Sequence, residues 1–297
     1  GSSQGSAINT VHLAGPHLYI GSSSVGSYYG IARVFESSGQ KDDSWRLQAK
    51  GDVLAIGISG SNMLAGGNFA TVDGVFQNNL CRINKSTGIM DTTFRPDIVG
   101  GVYRIYPDGD NLYIFGEIIT VNGVPRSKAA KINKNTGELD LNWNPNVTGP
   151  TSPVTAVRDI YVLENSIYLA GSFTSVSGQT RNSLAKISKS TGELDMNWAP
   201  VSNGIVHAIA GDGKAIYIGG DFTEISSMPK VRLAKLDSAT GAVMASWNQS
   251  ADAVVYDMMQ LDTSIYIAGL FTSVSGIGKQ RTAKLGMQSG LVDGGFT

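Results

Sequence analysis

The segment Lys186-Ile187-Ser188-Lys189-Ser190-Thr191-Gly192-Glu193-Leu194-Asp195-Met196-Asn197-Trp198 contains the pattern that decides the fold. A basic residue is followed six positions later by a glycine, and six positions after that by an aromatic residue. Six copies keep both intervals: Arg33, Gly39 and Trp45; Arg82, Gly88 and Phe94; Lys131, Gly137 and Trp143; Lys186, Gly192 and Trp198; Lys235, Gly241 and Trp247; Lys284, Gly290 and Phe296. Such self-similarity indicates an array of structural repeats.

Upstream of each copy lies a short apolar run that ends in glycine, such as Ile216-Tyr217-Ile218-Gly219-Gly220. Alternating apolar residues and turn residues predict four strands in the fifth copy, at 206–210, 215–222, 232–237 and 242–247. No segment has a sustained helical period. Four strands per ~50 residues are typical of the blades of a β-propeller.

The repeats therefore predict an all-β fold, a six-bladed β-propeller with four antiparallel strands per blade. We expect a single domain over residues 7–297, and residues 1–6 to be a linker or an expression scar. The predicted blades cover approximately residues 7–50, 51–99, 100–152, 153–203, 204–251 and 252–297.

The hydrophobic strand ending in Gly-Gly, the third strand and the Trp on the fourth resemble the kelch motif. The stretch Thr87-Gly88-Ile89-Met90-Asp91-Thr92-Thr93-Phe94 also resembles the delta-sixty propeller repeats of bacterial surface and secreted proteins. A basic residue near the usual third-strand Tyr departs from kelch. The resemblance covers nearly the whole chain and implies a kelch-like propeller that is extracellular or on a cell surface, or else periplasmic or virion-attached. It implies almost nothing about the ligand.

Composition argues against some classes of partner. The formal net charge is −1, and 16% of residues are charged against ~25% in typical soluble domains, so no basic excess favours nucleic acid. No apolar run approaches the ~18 residues of a membrane span. Neither zinc-ligand spacing nor a cofactor motif is present, so we expect no metal and no cofactor. Cys81 occupies a position held by Ala in the other copies, which predicts a small buried residue.

Positions that all copies share must serve folding and stacking. We expect the Trp/Phe series to form a core between blades, and the paired glycines to let backbones approach closely. The basic residues have an Asp nine positions later in five copies, at Asp42, Asp91, Asp140, Asp195 and Asp293. This spacing predicts cross-strand ion pairs. In the fifth copy Met244 replaces the Asp and leaves Lys235 unpaired.

Loops between the second and third strands differ among copies, and functional residues concentrate on the loops of rigid scaffolds. Their basic and aromatic residues fit a protein or glycan surface on this rim. The candidate binding residues here are Tyr28, Tyr29, Phe76, Arg126, Arg181, Lys230 and Arg281, with Gln77 and Lys279 in the same loops.

The innermost strands supply a second candidate site. Their central pairs are Asn9/Thr10, Leu54/Ala55, Tyr103/Arg104, Arg158/Asp159, His207/Ala208 and Tyr256/Asp257. Arg104, Asp159, His207 and Asp257 could converge near the axis, where an acid, a base and a histidine in one funnel would suit an active site. Polar residues beside a wet channel are also expected without any chemistry.

Three functions remain open from the sequence. The first is a non-catalytic recognition or adhesion module that binds a protein partner, within a larger surface, secreted or virion-attached protein. The second is a lectin-like propeller that binds a cell-surface glycan. The third is a hydrolase or lyase that uses the funnel around His207, Asp159 and Arg104. We expect the first, with no enzymatic activity, no nucleic-acid partner and no membrane insertion.

Overall fold

The computed structural model describes residues 7–23, 30–45, 47–151 and 155–296. Every regular element in these ranges is a β-strand, which confirms the all-β class. None of the described segments is a helix long and apolar enough to cross a membrane. The chain divides into two compact units, Gly1–Asn144 and Pro145–Thr297.

The strands described in the first unit are β1 (Ile8–Ala14), β2 (His17–Ser22), β3 (Ile31–Phe35), β4 (Ala49–Ser59), β5 (Asn62–Val72), β6 (Val75–Phe76), β7 (Leu80–Asn84), β8 (Ile98–Val99), β9 (Val102–Asp108), β10 (Asn111–Gly116), β11 (Thr120–Val121), β12 (Val124–Pro125) and β13 (Ala129–Asn133). They form antiparallel sheets in the orders β1-β2-β3, β13-β10-β9 and β12-β11-β8, and a sheet in which β5 pairs with β4, β6 and β7.

The strands described in the second unit are β14 (Val147–Thr148), β15 (Val157–Leu163), β16 (Ser166–Gly171), β17 (Ser175–Val176), β18 (Gln179–Thr180), β19 (Leu184–Ser188), β20 (Val206–Gly211), β21 (Ala215–Gly220), β22 (Glu224–Ile225), β23 (Met228–Pro229), β24 (Leu233–Asp237), β25 (Val255–Leu261), β26 (Ser264–Gly269), β27 (Ser273–Val274), β28 (Ile277–Gly278) and β29 (Thr282–Gly286). The main sheets are β15-β16-β19, β20-β21-β24 and β25-β26-β29, and the two-residue strands pair beside them.

The middle strand of a main sheet is covered on both faces, as β21 illustrates. Each of its six residues is buried. Alternate side chains point to opposite faces of a strand. Ile216 and Ile218 accordingly pack in one cluster with Trp198, whereas Tyr217 packs in another with Val255. A strand between two neighbouring sheets therefore has a continuous apolar sequence.

The fourth predicted strand is shorter in the structure than the sequence suggested. Instead of a strand over residues 242–247, a single bridge joins Val243 to Leu236 of β24. Four other repeats have one bridge each, Ile83–Met90, Ile132–Leu139, Ile187–Leu194 and Leu285–Val292, and the first repeat has two, Val34–Lys41 and Ile31–Leu47. In the fourth repeat, the Asp195 carboxylate accepts a hydrogen bond from the amide of Asn197. This local turn competes with the ladder and ends it.

Four of the repeated aromatic residues pack between neighbouring sheets of one unit, as predicted: Trp45, Phe94, Trp198 and Trp247. Trp45, Phe94, Trp143, Trp198 and Trp247 are buried, and Phe296 is half-buried. The Trp198 ring meets Tyr168 edge-on at 5.2 Å, and its Nε1 donates to the Asp237 carbonyl of the next sheet at 3.2 Å. The paired glycines are as close-packed as expected, because a Cβ on Gly220 would lie 2.2 Å from the carbonyl oxygen of Ile205.

The five predicted ion pairs are present: Arg33–Asp42, Arg82–Asp91, Lys131–Asp140, Lys186–Asp195 and Lys284–Asp293. The Thr93 hydroxyl and the Arg82 guanidinium hold the pKa of Asp91 at about 2. Lys235, which lacks an Asp partner, donates instead to the Met287 carbonyl at 3.2 Å. The basic series therefore belongs to the scaffold.

Candidate functional site

The predicted loop rim divides into described and undescribed parts. Tyr28 and Tyr29 lie outside the described residues. Phe76 is 65% exposed, and Arg281 is exposed with a left-handed backbone (φ 67°). These two side chains remain available at the surface, where the sequence placed them.

Arg126, Arg181 and Lys230 differ from the expectation of a solvated rim, because each is less than 9% exposed. Arg181 donates from Nη1 to the Thr180 carbonyl at 2.8 Å and from Nη2 to the Met196 carbonyl at 3.2 Å. Lys230 donates to the Trp247 carbonyl at 2.9 Å. These side chains, with Lys279, we call the loop cations.

The loop cations donate hydrogen bonds to backbone carbonyls of the short fourth segment that have no partner in the β-ladder. Where that segment turns away from the sheet, its carbonyls lose ladder partners, and a buried carbonyl requires a donor. Arg126 reaches the carbonyls of Asp140 and Leu141, and Lys279 those of Gly294 and Phe296. The sequence signal for this role is that the four loop cations fall at the same position of their repeats, where the second repeat has Gln77.

The first strand of each main sheet contains a β-bulge at the position of the predicted channel pairs. Pairing registers skip one residue between Ile8 and Thr10, Val53 and Ala55, Val102 and Arg104, Val157 and Asp159, Val206 and Ala208, and Val255 and Asp257. The skipped residues are Asn9, Leu54 and Tyr103 in the first unit and Arg158, His207 and Tyr256 in the second. A bulge bends the strand and redirects this side chain.

Two carboxylates of the predicted funnel are engaged by main-chain amides. The buried Asp159 accepts from the amides of Ile160 and Ile209, both at 2.9 Å, and so links two neighbouring sheets. Asp257 accepts from the amide of Met258 at 2.9 Å. Arg104, in the first unit, donates to the Tyr103 carbonyl at 3.0 Å. These contacts hold each of the three side chains to main-chain groups of its own unit.

His207 is paired with Asp221, whose Oδ2 lies 3.0 Å from Nε2. The Tyr256 ring stands edge-on to the imidazole at a centroid distance of 5.1 Å. Burial lowers the pKa of His207 below its usual 6.5; the Asp221 carboxylate opposes the shift, and the Arg158 charge adds to it. A neutral imidazole facing a carboxylate carries its proton on Nε2. We call Arg158, His207, Asp221 and Tyr256 the bulge cluster.

Arg158 and Tyr256 are the members of the bulge cluster whose side chains are open to a ligand. Arg158 is half-buried, its Nε is closed off from solvent, and it has no hydrogen-bond or ion-pair partner in the described part of the chain. Tyr256 is 48% exposed, and the Asp221 side chain is 45% exposed. The cluster thus combines a cation, an imidazole, an accessible carboxylate and an accessible aromatic face.

A surface cleft of about 310 Å³ lies beside the cluster, lined by residues of the fourth and fifth repeats: Pro150, Ser172, Phe173, Thr174, Asn182, Ser183, Ser202, Asn203, Gly204 and Ile205. The carbonyl of Ile205 accepts from the amide of Asp221 at 2.8 Å, which connects the cleft wall to the cluster. No group of three or more metal-ligating side chains occurs among the described residues. Burial raises the pKa of the Cys81 thiol to about 12, as suits a small core residue.

A family described as "Domain of unknown function (DUF5122) beta-propeller" matches residues 62–94 and 165–197. No protein with a curated description matches the sequence.

Three solved structures are similar to the chain. It has a TM-score of 0.61 and 12% identity to the WD40 β-propeller domain of Doa1, covering 97% of this chain and 85% of that one. The Neurospora crassa Pan2 WD40 domain has a TM-score of 0.56 and 9% sequence identity to the chain. The match covers 95% of this chain and 76% of that one. The extracellular domain of a putative hybrid two-component system from B. thetaiotaomicron has a TM-score of 0.58 and 13% sequence identity. This match covers 91% of this chain and 32% of that one. Together with the six sequence repeats and the all-β structure, these similarities identify the chain as a β-propeller repeat protein.

Proposed function

We propose that this protein is a non-catalytic recognition module that binds a protein partner, within a larger surface or secreted protein. The bulge cluster and the cleft beside it are the proposed binding site. The proposal includes six kelch-like or delta-sixty-type blades, each made of three strands and a short fourth segment. One structural relative is an extracellular domain, which supports an extracellular location.

One observation carries this proposal. Repeated positions of the fold hold similar residues and serve packing, whereas the bulge position holds Asn, Leu, Tyr, Arg, His and Tyr in successive repeats. A position that the scaffold leaves free to vary can evolve for a ligand. In the second unit it groups Arg158, which has no partner among the described residues, with the half-exposed Tyr256, and these residue types are enriched where proteins bind proteins.

Selection from a displayed library of random peptides tests the proposal. We expect peptides that bind the purified chain and lose at least tenfold in affinity when Tyr256 is replaced by Ala. Tyr103→Ala is the matched control, because Tyr103 has the same residue type at the same repeat position in the other unit. Peptides that bind Tyr256→Ala and His207→Ala as tightly as the wild type would place the binding site elsewhere.

A glycan ligand is the second candidate, favoured by the half-exposed Tyr256 ring near the accessible Asp221 carboxylate. Sugar rings bind through an apolar face and hydroxyl groups, and this pair offers a surface for each. A glycan array probed with the wild type and Tyr256→Ala separates the two functions. Glycans retained by the wild type and lost by the variant, with no enriched peptide, would favour the lectin.

A further inference from the structure

Arg158 differs from the other buried and half-buried arginines that the structure describes. Arg33 and Arg82 pair with aspartates, and Arg126 and Arg181 donate to carbonyls. Arg104 and Arg232 also donate to carbonyls, those of Tyr103 and Asp221 respectively. Within the described residues Arg158 has no such partner, and its Nε is buried without a hydrogen bond, as are the Nε atoms of Arg126, Arg181 and Arg232. A partly desolvated guanidinium without a partner is unfavourable, and an anion that reaches it relieves this cost.

The acidic groups nearest to Arg158 in the chain and the cluster are committed elsewhere. The Asp159 carboxylate accepts from the amides of Ile160 and Ile209. Asp221 is paired with His207, and its main-chain carbonyl accepts from Arg232. His207 is neutral near pH 7 because burial lowers its pKa. Arg158 therefore remains the cation of the cluster without a hydrogen-bonded anion among the described residues, and the Asp221 carboxylate keeps its own negative charge beside the neutral His207.

We infer that the partner binds as an acidic peptide segment, with an Asp or Glu carboxylate on the Arg158 guanidinium. This inference rests on the proposed function and names the ligand chemistry of the same site. A planar guanidinium matches a carboxylate with two parallel hydrogen bonds.

The neighbouring groups suit the rest of such a segment. Tyr256 offers a half-exposed ring to an apolar side chain next to the acid. The cleft of about 310 Å³, with Thr174 and Ile205 among its lining residues, gives an extended segment a surface groove to lie in. Contacts of this kind fix the position of the peptide along the site, and the Arg158 contact selects peptides that carry an acidic side chain.

The test is an array of short peptides synthesised in matched pairs, Asp or Glu in one member and Asn or Gln in the other. We expect the wild type to bind acidic members at least tenfold more tightly than their amide partners. In Arg158→Met this preference disappears, and in Arg158→Lys a part of it returns. Arg281→Met is the matched control, because Arg281 is exposed and lies outside the cluster.

The outcomes separate this inference from the proposed function. Peptides that bind at the bulge cluster without an acid preference would overturn the inference and leave the recognition function standing. An acid preference that persists in Arg158→Met would also overturn it. If no peptide of either kind binds, the protein-recognition function fails, and the inference fails with it.

Discussion

Arg181 and Arg158 belong to the same repeat and have opposite surroundings. Arg181 is buried and donates to main-chain carbonyls, and its repeat position holds Arg, Lys or Gln elsewhere. Arg158 is half-buried and has no hydrogen-bond or ion-pair partner in the part of the chain that the structure describes, and its repeat position varies freely. The sequence offered Arg181 as a binding residue of the loop rim and placed Arg158 only in one of the channel pairs. The hydrogen bonds of Arg181 show that it belongs to the scaffold. Arg158 makes no such bonds within the described residues, so it can bind a ligand.

The largest effect should come from a shared position. Trp198→Ala removes a fully buried indole and its hydrogen bond to Asp237. We expect a loss of about 3–5 kcal/mol in the free energy of unfolding. Urea denaturation measures it, with Trp198→Phe as the milder control. A loss below about 1 kcal/mol would contradict a role in the core between sheets.

The two arginines themselves should separate stability from binding. Arg181→Met leaves buried carbonyls without donors, so the free energy of unfolding should fall by about 1–3 kcal/mol while peptide affinity is kept. Arg158→Met should keep the stability and reduce peptide affinity at least tenfold, or about 1.4 kcal/mol. Urea denaturation and fluorescence anisotropy measure the two quantities. An equal loss of stability in both variants would remove the distinction.

Acid should weaken the scaffold through its ion pairs. Hydrogen bonds from Thr93 and Arg82 lower the pKa of Asp91 from 3.8 to about 2 in the folded protein. A group with a lowered folded pKa stabilises above its unfolded pKa and loses that contribution as the pH falls through the folded value. Asp91→Asn should therefore be less stable than wild type at pH 7, by about 1 kcal/mol or less for this partly exposed pair. The difference in the free energy of unfolding between the wild type and Asp91→Asn should vanish as the pH falls from about 4 to about 2. A difference that stays constant over this range would argue against the ion pair.

The smallest effect should come from restoring the missing ion pair. Met244→Asp places a carboxylate opposite Lys235, as in the other five repeats. Compared with Met244→Asn, which has the same shape without charge, it should gain about 0.2–1 kcal/mol in the free energy of unfolding. Thermal unfolding of both variants measures the difference. Equal stabilities would mean that the Lys235 contacts to Met287 and Gln288 already satisfy the ammonium.

The scaffold was predictable from the sequence because its interactions repeat at fixed intervals. The pairing of Arg82 with Asp91 and the burial of Trp198 both follow from spacing and from comparison among copies. The site was less predictable. Arg126, Arg181 and Lys230 were expected at a solvated rim, since nothing local in the sequence indicates that the fourth segment would end after one bridge and leave its carbonyls open.

The sequence by itself determined the all-β repeat, the aromatic core and the ion pairs, because short-range spacing places these residues across one hairpin or one strand. Tertiary structure alone decided which polar side chains find partners. The bulges redirect Arg158, His207 and Tyr256, and the amides of a neighbouring sheet bind Asp159. These partners are distant in sequence, and whether a charge is satisfied depends on contacts that no local pattern encodes.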